Sequence, residues 1–330
     1  MLQYKDILND IINGPSGLEK DTRTGVKTRS ISGMQFAHDI RNGFPLLTTK
    51  KMSIKNIAVE LEFFIKGLSD KKWLQERGCH IWDEWANPKK VENSLRVFEL
   101  KEDEYKNTPR DGRLFSNTNM TKDEFRKVLQ KSESDLGRIY GVQWRDWKTS
   151  AIISIPTIDK NEKVTPGKHM LRYHDQLIDV IERAKKNPLD RRLLVTAWRP
   201  DELDQMALPP CHYAWQILSD GDYLDLIWVQ RSVDVGLGLP YNIASYGLLL
   251  LLLAKELDLT PRRLVGQLGD THIYENHFDK LLEQMGRECK DLPIITIPDE
   301  GWNGILNWEY WQYKLNNYEH HPAIKLEIAV

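Results

Sequence analysis

Cysteine is scarce in this chain: 330 residues carry three, Cys79, Cys211 and Cys289. An odd number at wide spacing argues against a disulfide framework. It reads as reduced thiols in a reducing compartment, so a cytoplasmic protein is expected. No Cys-x-x-Cys pair and no Cys/His spacing suits zinc, and no metal is expected. An excess of one charge is also missing. The 46 Lys and Arg against 48 Asp and Glu leave a net charge of −2, which removes the electrostatic case for nucleic acid or an anionic membrane as partner. Long apolar runs are lacking too. The most apolar stretch, IASYGLLLLLLA at 243–254, is too short to span a bilayer and reads as a buried core helix. The first residues, MLQYKDILNDIING, have neither the basic start nor the unbroken apolar stretch of a signal peptide. Tyr4, Ile7, Leu8, Ile11 and Ile12 have helical spacing instead and predict a helix with one face turned inward. No internal repeat is visible.

What is present is an ordinary globular composition, rich only in tryptophan. Residues 28–37 read as a strand. A helix follows, capped by Ser53, striped by Ile54, Ile57, Ala58, Leu61, Phe64 and Ile65, and ended by Gly67. Residues 87–136 are dense in both charges and poor in large apolar residues, and they read as an inserted, solvent-rich subdomain. A second irregular insertion is expected at about 148–168. MLRYHDQLIDVIERAKKNP reads as an amphipathic helix closed by Pro188, and RRLLVTAW as a strand. HYAWQIL, the turn SDGD, and YLDLIWVQ read as a β-hairpin. LVGQLGDTHIYENH reads as a strand running into a turn and helix. With no βαβ rhythm, the expectation is a single α+β domain over 1–330, its helices packed on a mixed, mainly antiparallel sheet.

Some residues could carry chemistry. Arg23 stands beside a glycine turn, Arg191 and Arg192 at a strand start, and Arg231 with Ser232 at a strand end. Converging guanidiniums would clamp a phosphate; singly, each is an ordinary surface cation. Cys211 stands behind Pro209 and Pro210 and before His212. A thiolate is the strongest side-chain nucleophile at neutral pH, and nearby cations activate it; a buried structural thiol is the alternative. Glu60 sits at the edge of an apolar helical stripe, where an unpaired carboxylate is costly. Trp82 and Trp85 flank two acids and form either core packing or a wall for a flat ring. Asn242 lies near a helix start, where an N-cap is the plain reading.

LPPCH, RRLLVTAW, QRSVDVGLGLPYNIASY, GDTHIY, TRTG, FPLLTTKK, IWDEWA, YGVQWR and the terminal HPAIKLEIAV stand in an order and spacing that resemble the folate-dependent thymidylate synthases. The resemblance runs from about residue 20 to Val330. It implies that fold, with a homodimer formed through the sheet, and conversion of dUMP to dTMP with 5,10-methylenetetrahydrofolate as co-substrate. By resemblance Cys211 is the nucleophile toward uracil C6, and Arg231 activates it. Arg23, Arg191, Arg192, Arg231 and Ser232 hold the phosphate, with Arg191 and Arg192 donated by a partner subunit. Asn242 reads the base, Gln230 and Asp234 also contact dUMP, with Asp234 counted among the catalytic residues, His272 and Tyr274 hold the sugar hydroxyl, and Glu60 with His212 and Asn242 organises water for proton transfer. Tyr140 stands near the C5 proton. Asp234, Ile81, Trp82, Leu237, Gly238, Lys50 and Ala329 are the implied folate contacts, Lys50 meeting the glutamate tail. The chain departs from the family pattern at Thr22, Lys27, Ser53, Glu62 and Phe63. Two rival readings stay open: a dUMP hydroxymethylase, which quenches the same intermediate with water, and an inactive nucleotide- or RNA-binding relative.

Overall fold

The computed structural model describes residues 1–22, 25–86, 134–154, 157–158, 164–165 and 168–327. In chain order these form α1 (Leu2–Asn13), β1 (Leu18–Lys20), β2 (Thr28–Asp39), α2 (Ile54–Ile65), α3 (Lys72–Gln75) and α4 (Tyr140–Arg145). Next come β3 (Trp147–Ser154), β4 (Thr157–Ile158), β5 (Val164–Thr165), β6 (Lys168–His174), α5 (Gln176–Lys186), β7 (Leu194–Thr196) and β8 (His212–Ser219). The rest is β9 (Tyr223–Asp234), α6 (Gly238–Leu257), β10 (Thr260–Tyr274), α7 (Phe278–Gly286), β11 (Ile294–Thr296) and β12 (Lys314–Asn316).

The class is α+β, as the sequence implies. One six-stranded sheet has the order β1-β2-β10-β9-β8-β7. Every neighbouring pair is antiparallel except β9 with β10. That pair corrects the expectation of no βαβ unit. Parallel neighbours cannot be joined by a tight turn, and α6 is the crossover between them. The run IASYGLLLLLLA lies in this helix, with most of its side chains buried. Packed against β9, β10, α2 and α5, α6 is the centre of the core.

Alternation along β9 decides what faces that core. Leu224, Leu226, Trp228 and Gln230 point to the helical side and are buried. Gln230 is thus a polar residue at the end of an apolar row. A register shift in β8 between His212 and Ala214 re-aims the start of that strand. The helix expected over 170–188 begins later. Residues up to His174 belong to β6, which pairs with β3, and Asp175 caps α5 by accepting from the Ile178 N–H. The segment read as an irregular insertion therefore contains a two-stranded antiparallel ribbon. Most of the charged insertion at 87–136 lies outside the described residues. Among the described residues no helix is long and apolar enough to cross a membrane.

Candidate active site

The start of β8, the ends of β9 and β10 and the first turns of α6 meet at one edge of the sheet. Cys211 directly precedes β8. Its carbonyl accepts from the Arg231 N–H at 2.8 Å, so the thiol and the guanidinium are cross-strand neighbours. Arg231 Nε donates to the Pro210 carbonyl and Nη2 to the Pro209 carbonyl, each at 2.9 Å. The two prolines, stiff and without N–H donors, thus turn their carbonyls into a cradle for the arginine. Held there, Nη2 lies 3.9 Å from the Cys211 Sγ. The Trp198 ring backs the same guanidinium at 5.6 Å. On the other side the Tyr140 hydroxyl accepts the Cys211 N–H at 2.9 Å. Burial pushes the thiol up, while Arg231 and the Tyr140 hydroxyl pull it back and Asp234 adds a smaller upward push.

An aromatic stack walls the thiol. Phe64 stacks on Tyr140 at 5.0 Å, and Tyr140 on His212 at 4.3 Å. Burial drives His212 down to about 3, so the ring is neutral at ordinary pH. Its Nδ1 shares a hydrogen bond with the Tyr246 hydroxyl at 2.9 Å. Glu60, on α2, accepts from the Trp82 indole at 2.8 Å. Burial lifts its carboxyl to about 7, and the Trp82 bond opposes that rise only in part. Burial raises the phenols of Tyr140, Tyr241 and Tyr246, and the Glu60 charge adds a smaller push in the same direction. A direct Glu60–His212–Asn242 network is not present among the described residues. Each of the three is half-buried and has its own separate partner: Trp82 for Glu60, Tyr246 for His212 and Gln230 for Asn242.

Asn242 is inside α6, which begins at Gly238 with Leu237 at the cap, so the N-cap reading is corrected. Its Oδ1 accepts from Gln230 Nε2 at 3.0 Å. Gln230 Nε2 also donates to the Ser232 carbonyl at 3.0 Å, and Gln230 Oε1 accepts from the Trp228 indole at 3.2 Å. On β10, His272 lies abreast of Asp234 and Asp270 abreast of Ser232. His272 is buried, with Nδ1 bonded to the Asp270 carbonyl at 3.0 Å, and its ring meets Tyr274 edge-on at 5.2 Å.

Asp234 Oδ1 accepts the N–H groups of Gly236 and Leu237 at 2.9 and 3.1 Å, shaping the turn into α6. Lys50 braces the same turn from below. It is 4 % exposed, and its ammonium donates to the Gly236 carbonyl at 2.6 Å. Burial lowers it to about 8. One of the three ammonium donors is thus used on the backbone at the turn into α6. Trp82 is buried, Ile81 half-buried, and Leu237 and Gly238 line the start of α6. His277 shares a hydrogen bond with the Glu327 carbonyl at 2.7 Å and so holds the end of the described chain near Gly236. Arg191 and Arg192 lie exposed in the turn before β7, and neither side chain bonds to another site residue among the described residues. Arg23 and Ala329 lie outside the described residues.

Sequence reading missed Trp198, Tyr246 and Trp228. Tyr246 had a signal: it is the polar tip in the LLLL-rich run and stands four residues after Asn242, on the same helical face. Of the departures from the family pattern, Glu62 is explained. It is 1 % exposed, pairs with Lys66 at 2.5 Å and accepts the Tyr310 N–H at 2.9 Å, tying the C-terminal region to α2.

A family model described as thymidylate synthase matches residues 2–330. The chain belongs to that family, whose members are enzymes that bind dUMP and use methylenetetrahydrofolate, and which also includes hydroxymethylases.

Proposed function

Taking membership of the thymidylate synthase family as premise, we propose that this protein reductively methylates dUMP to dTMP, and that Cys211 is its nucleophile. The observation that carries the reading is the thiol set 3.9 Å from the Arg231 guanidinium and beside the Tyr140 hydroxyl. A cation at that distance favours the thiolate, which attacks and leaves well. The Cys211 sulfur forms a bond to uracil C6. The C5–C6 π pair then moves onto C5 and O4. Asn242 has its Oδ1 occupied by Gln230, so Nδ2 is the donor toward O4, where negative charge develops. A carboxyl near 7 is poised to hold and return a proton at neutral pH, and Glu60 is placed for that exchange at O4 through water. Tyr140, its oxygen fixed by the Cys211 N–H, stands ready to take part in removal of the C5 proton.

Methylenetetrahydrofolate, when bound, supplies both the one-carbon unit and the hydride. The residues present suit it: Asp234 uses one oxygen on its own turn and has Oδ2 left for a pterin N–H, with Ile81, Trp82, Leu237 and Gly238 around it. Arg231, Arg191, Arg192 and Arg23 form the phosphate clamp, with Arg191 and Arg192 reaching the site of a partner subunit. Two features support that homodimer. Neither arginine side chain is bonded to a described site residue of this chain, and the second face of the sheet leaves Ile227 and Val229 only half-buried. The test is incubation with dUMP and methylenetetrahydrofolate. One dihydrofolate per dTMP supports the reading, and tetrahydrofolate with 5-hydroxymethyl-dUMP refutes it.

A further inference from the structure

We propose that Trp228, fully buried, sets which pyrimidine the site accepts by fixing the direction of a buried hydrogen-bond relay. The relay runs from the Trp228 indole to Gln230 and then to Asn242. It rests on the reading that Asn242 faces the base.

A side-chain amide can be turned over, exchanging its donor end for its acceptor end, and only its partners decide which way it lies. Gln230 has two partners of unambiguous polarity. The indole N–H can only donate, so the atom facing it at 3.2 Å must be the Gln230 oxygen. The Ser232 carbonyl can only accept, so the atom facing it at 3.0 Å must be the Gln230 nitrogen. That nitrogen also faces Asn242 at 3.0 Å, which obliges Asn242 to offer Oδ1. The Asn242 nitrogen is then left to donate toward the base. Uracil presents an acceptor at position 4 and suits it; cytosine presents an amino group there and does not.

The relay is sealed from water: Trp228 is 0 % and Gln230 3 % exposed. In that setting a reversed amide leaves buried groups facing like groups, so each link constrains the next. The fold holds Trp228 in place for this. Its ring lies flat on Tyr246 at 5.3 Å. It also runs across Gly266 of β10, where any Cβ would stand 2.4 Å from a ring atom. A phenylalanine or leucine would fill such a space without an N–H. What tryptophan adds is the donor that, together with the Ser232 carbonyl, orients Gln230.

The experiment measures binding of dUMP and of dCMP to the full chain. Trp228→Phe keeps most of the ring and removes the N–H. The dUMP preference is expected to fall about tenfold, the worth of one such bond. In an Asn242→Asp background the same change is expected to leave the preference unaltered, because a carboxylate has no donor end to orient; this double-mutant cycle separates orientation from general loosening. Should Trp228→Phe fail to fold, Gln230→Glu decides. A carboxylate accepts from both the indole and the Asn242 amide nitrogen, turns that amide over, and is expected to shift preference toward dCMP. An unchanged preference in the folded variant overturns the relay while leaving the dUMP reading intact. A parent protein that binds neither nucleotide overturns both.

Discussion

Arg231 has its guanidinium fixed by two proline carbonyls and aimed at one sulfur, and the chemistry of the site depends on that placement. The thiol lies above its ordinary value because burial outweighs the cation. Removing the cation should therefore raise it further. With Arg231→Leu, the pH midpoint of Cys211 alkylation is expected to move up by about 1–3 units, the effect of an opposite charge at such range; an unmoved midpoint would show that the 3.9 Å contact does not activate the thiol. Glu60 has a cost in stability. Its folded value is about 7, against 4.5 for an ordinary glutamate. Between those values the folded state binds more protons than the unfolded one, so stability is full below 4.5 and is lost as pH rises to about 7. That difference corresponds to up to about 3 kcal/mol. Glu60→Gln keeps an oxygen for the Trp82 N–H and cannot ionise. Its melting temperature is expected to exceed the parent's at pH 8 and not at pH 4.5, while turnover falls by about 10²–10⁴-fold. Equal melting curves at pH 8 would contradict the strained carboxylate.

Helices α2 and α4 carry Glu60 and Tyr140, and they meet where Gly141 lies against the Phe64 backbone. A Cβ on Gly141 would stand 2.3 Å from the Phe64 carbonyl oxygen. Gly141→Ala is expected to destabilise by about 1–3 kcal/mol and to lower kcat by parting the two residues, as denaturant titration and steady-state kinetics would show. Unchanged stability would mean that the contact yields freely. Elements of this kind were legible where one periodicity ran unbroken. The stripe from Ile54 to Ile65 gave α2 and its Ser53 cap, and the SDGD turn gave the β8–β9 hairpin. The start of α5 is not marked in MLRYHDQLI by any break in the sequence, and only the pairing of β6 with β3 separates strand from helix there. Asn242 reads as lying near a helix start, but α6 already begins at Gly238 and takes Pro240 into its first turn, where a proline is tolerated. Cys211, Arg231 and Asn242 stood out through motif order. The bonds that orient them did not, since a relay from Trp228 to Asn242 crosses from strand to helix and has no sequence spacing.

The fold as a whole supplies convergence. One antiparallel hairpin and one parallel crossover bring the start of β8 and the ends of β9 and β10 to the same edge, so groups far apart in sequence share a pocket. The single chain leaves Arg191 and Arg192 outside that pocket, which makes association part of the proposed chemistry. Cys211→Ser and the double variant Arg191→Ala, Arg192→Ala should each be inactive alone. Exchanging their subunits should restore activity, because one mixed site recovers both the thiol and the arginines. No recovery would place the arginines in their own subunit's site or outside catalysis. The measurement that bears most directly on the proposed chemistry is the product balance of the intact enzyme given dUMP and methylenetetrahydrofolate, with folate followed by absorbance and nucleotide by mass. Equal amounts of dihydrofolate and dTMP, absent in Cys211→Ser, are expected; tetrahydrofolate accompanied by 5-hydroxymethyl-dUMP, or full turnover without the Cys211 thiol, would refute the proposal.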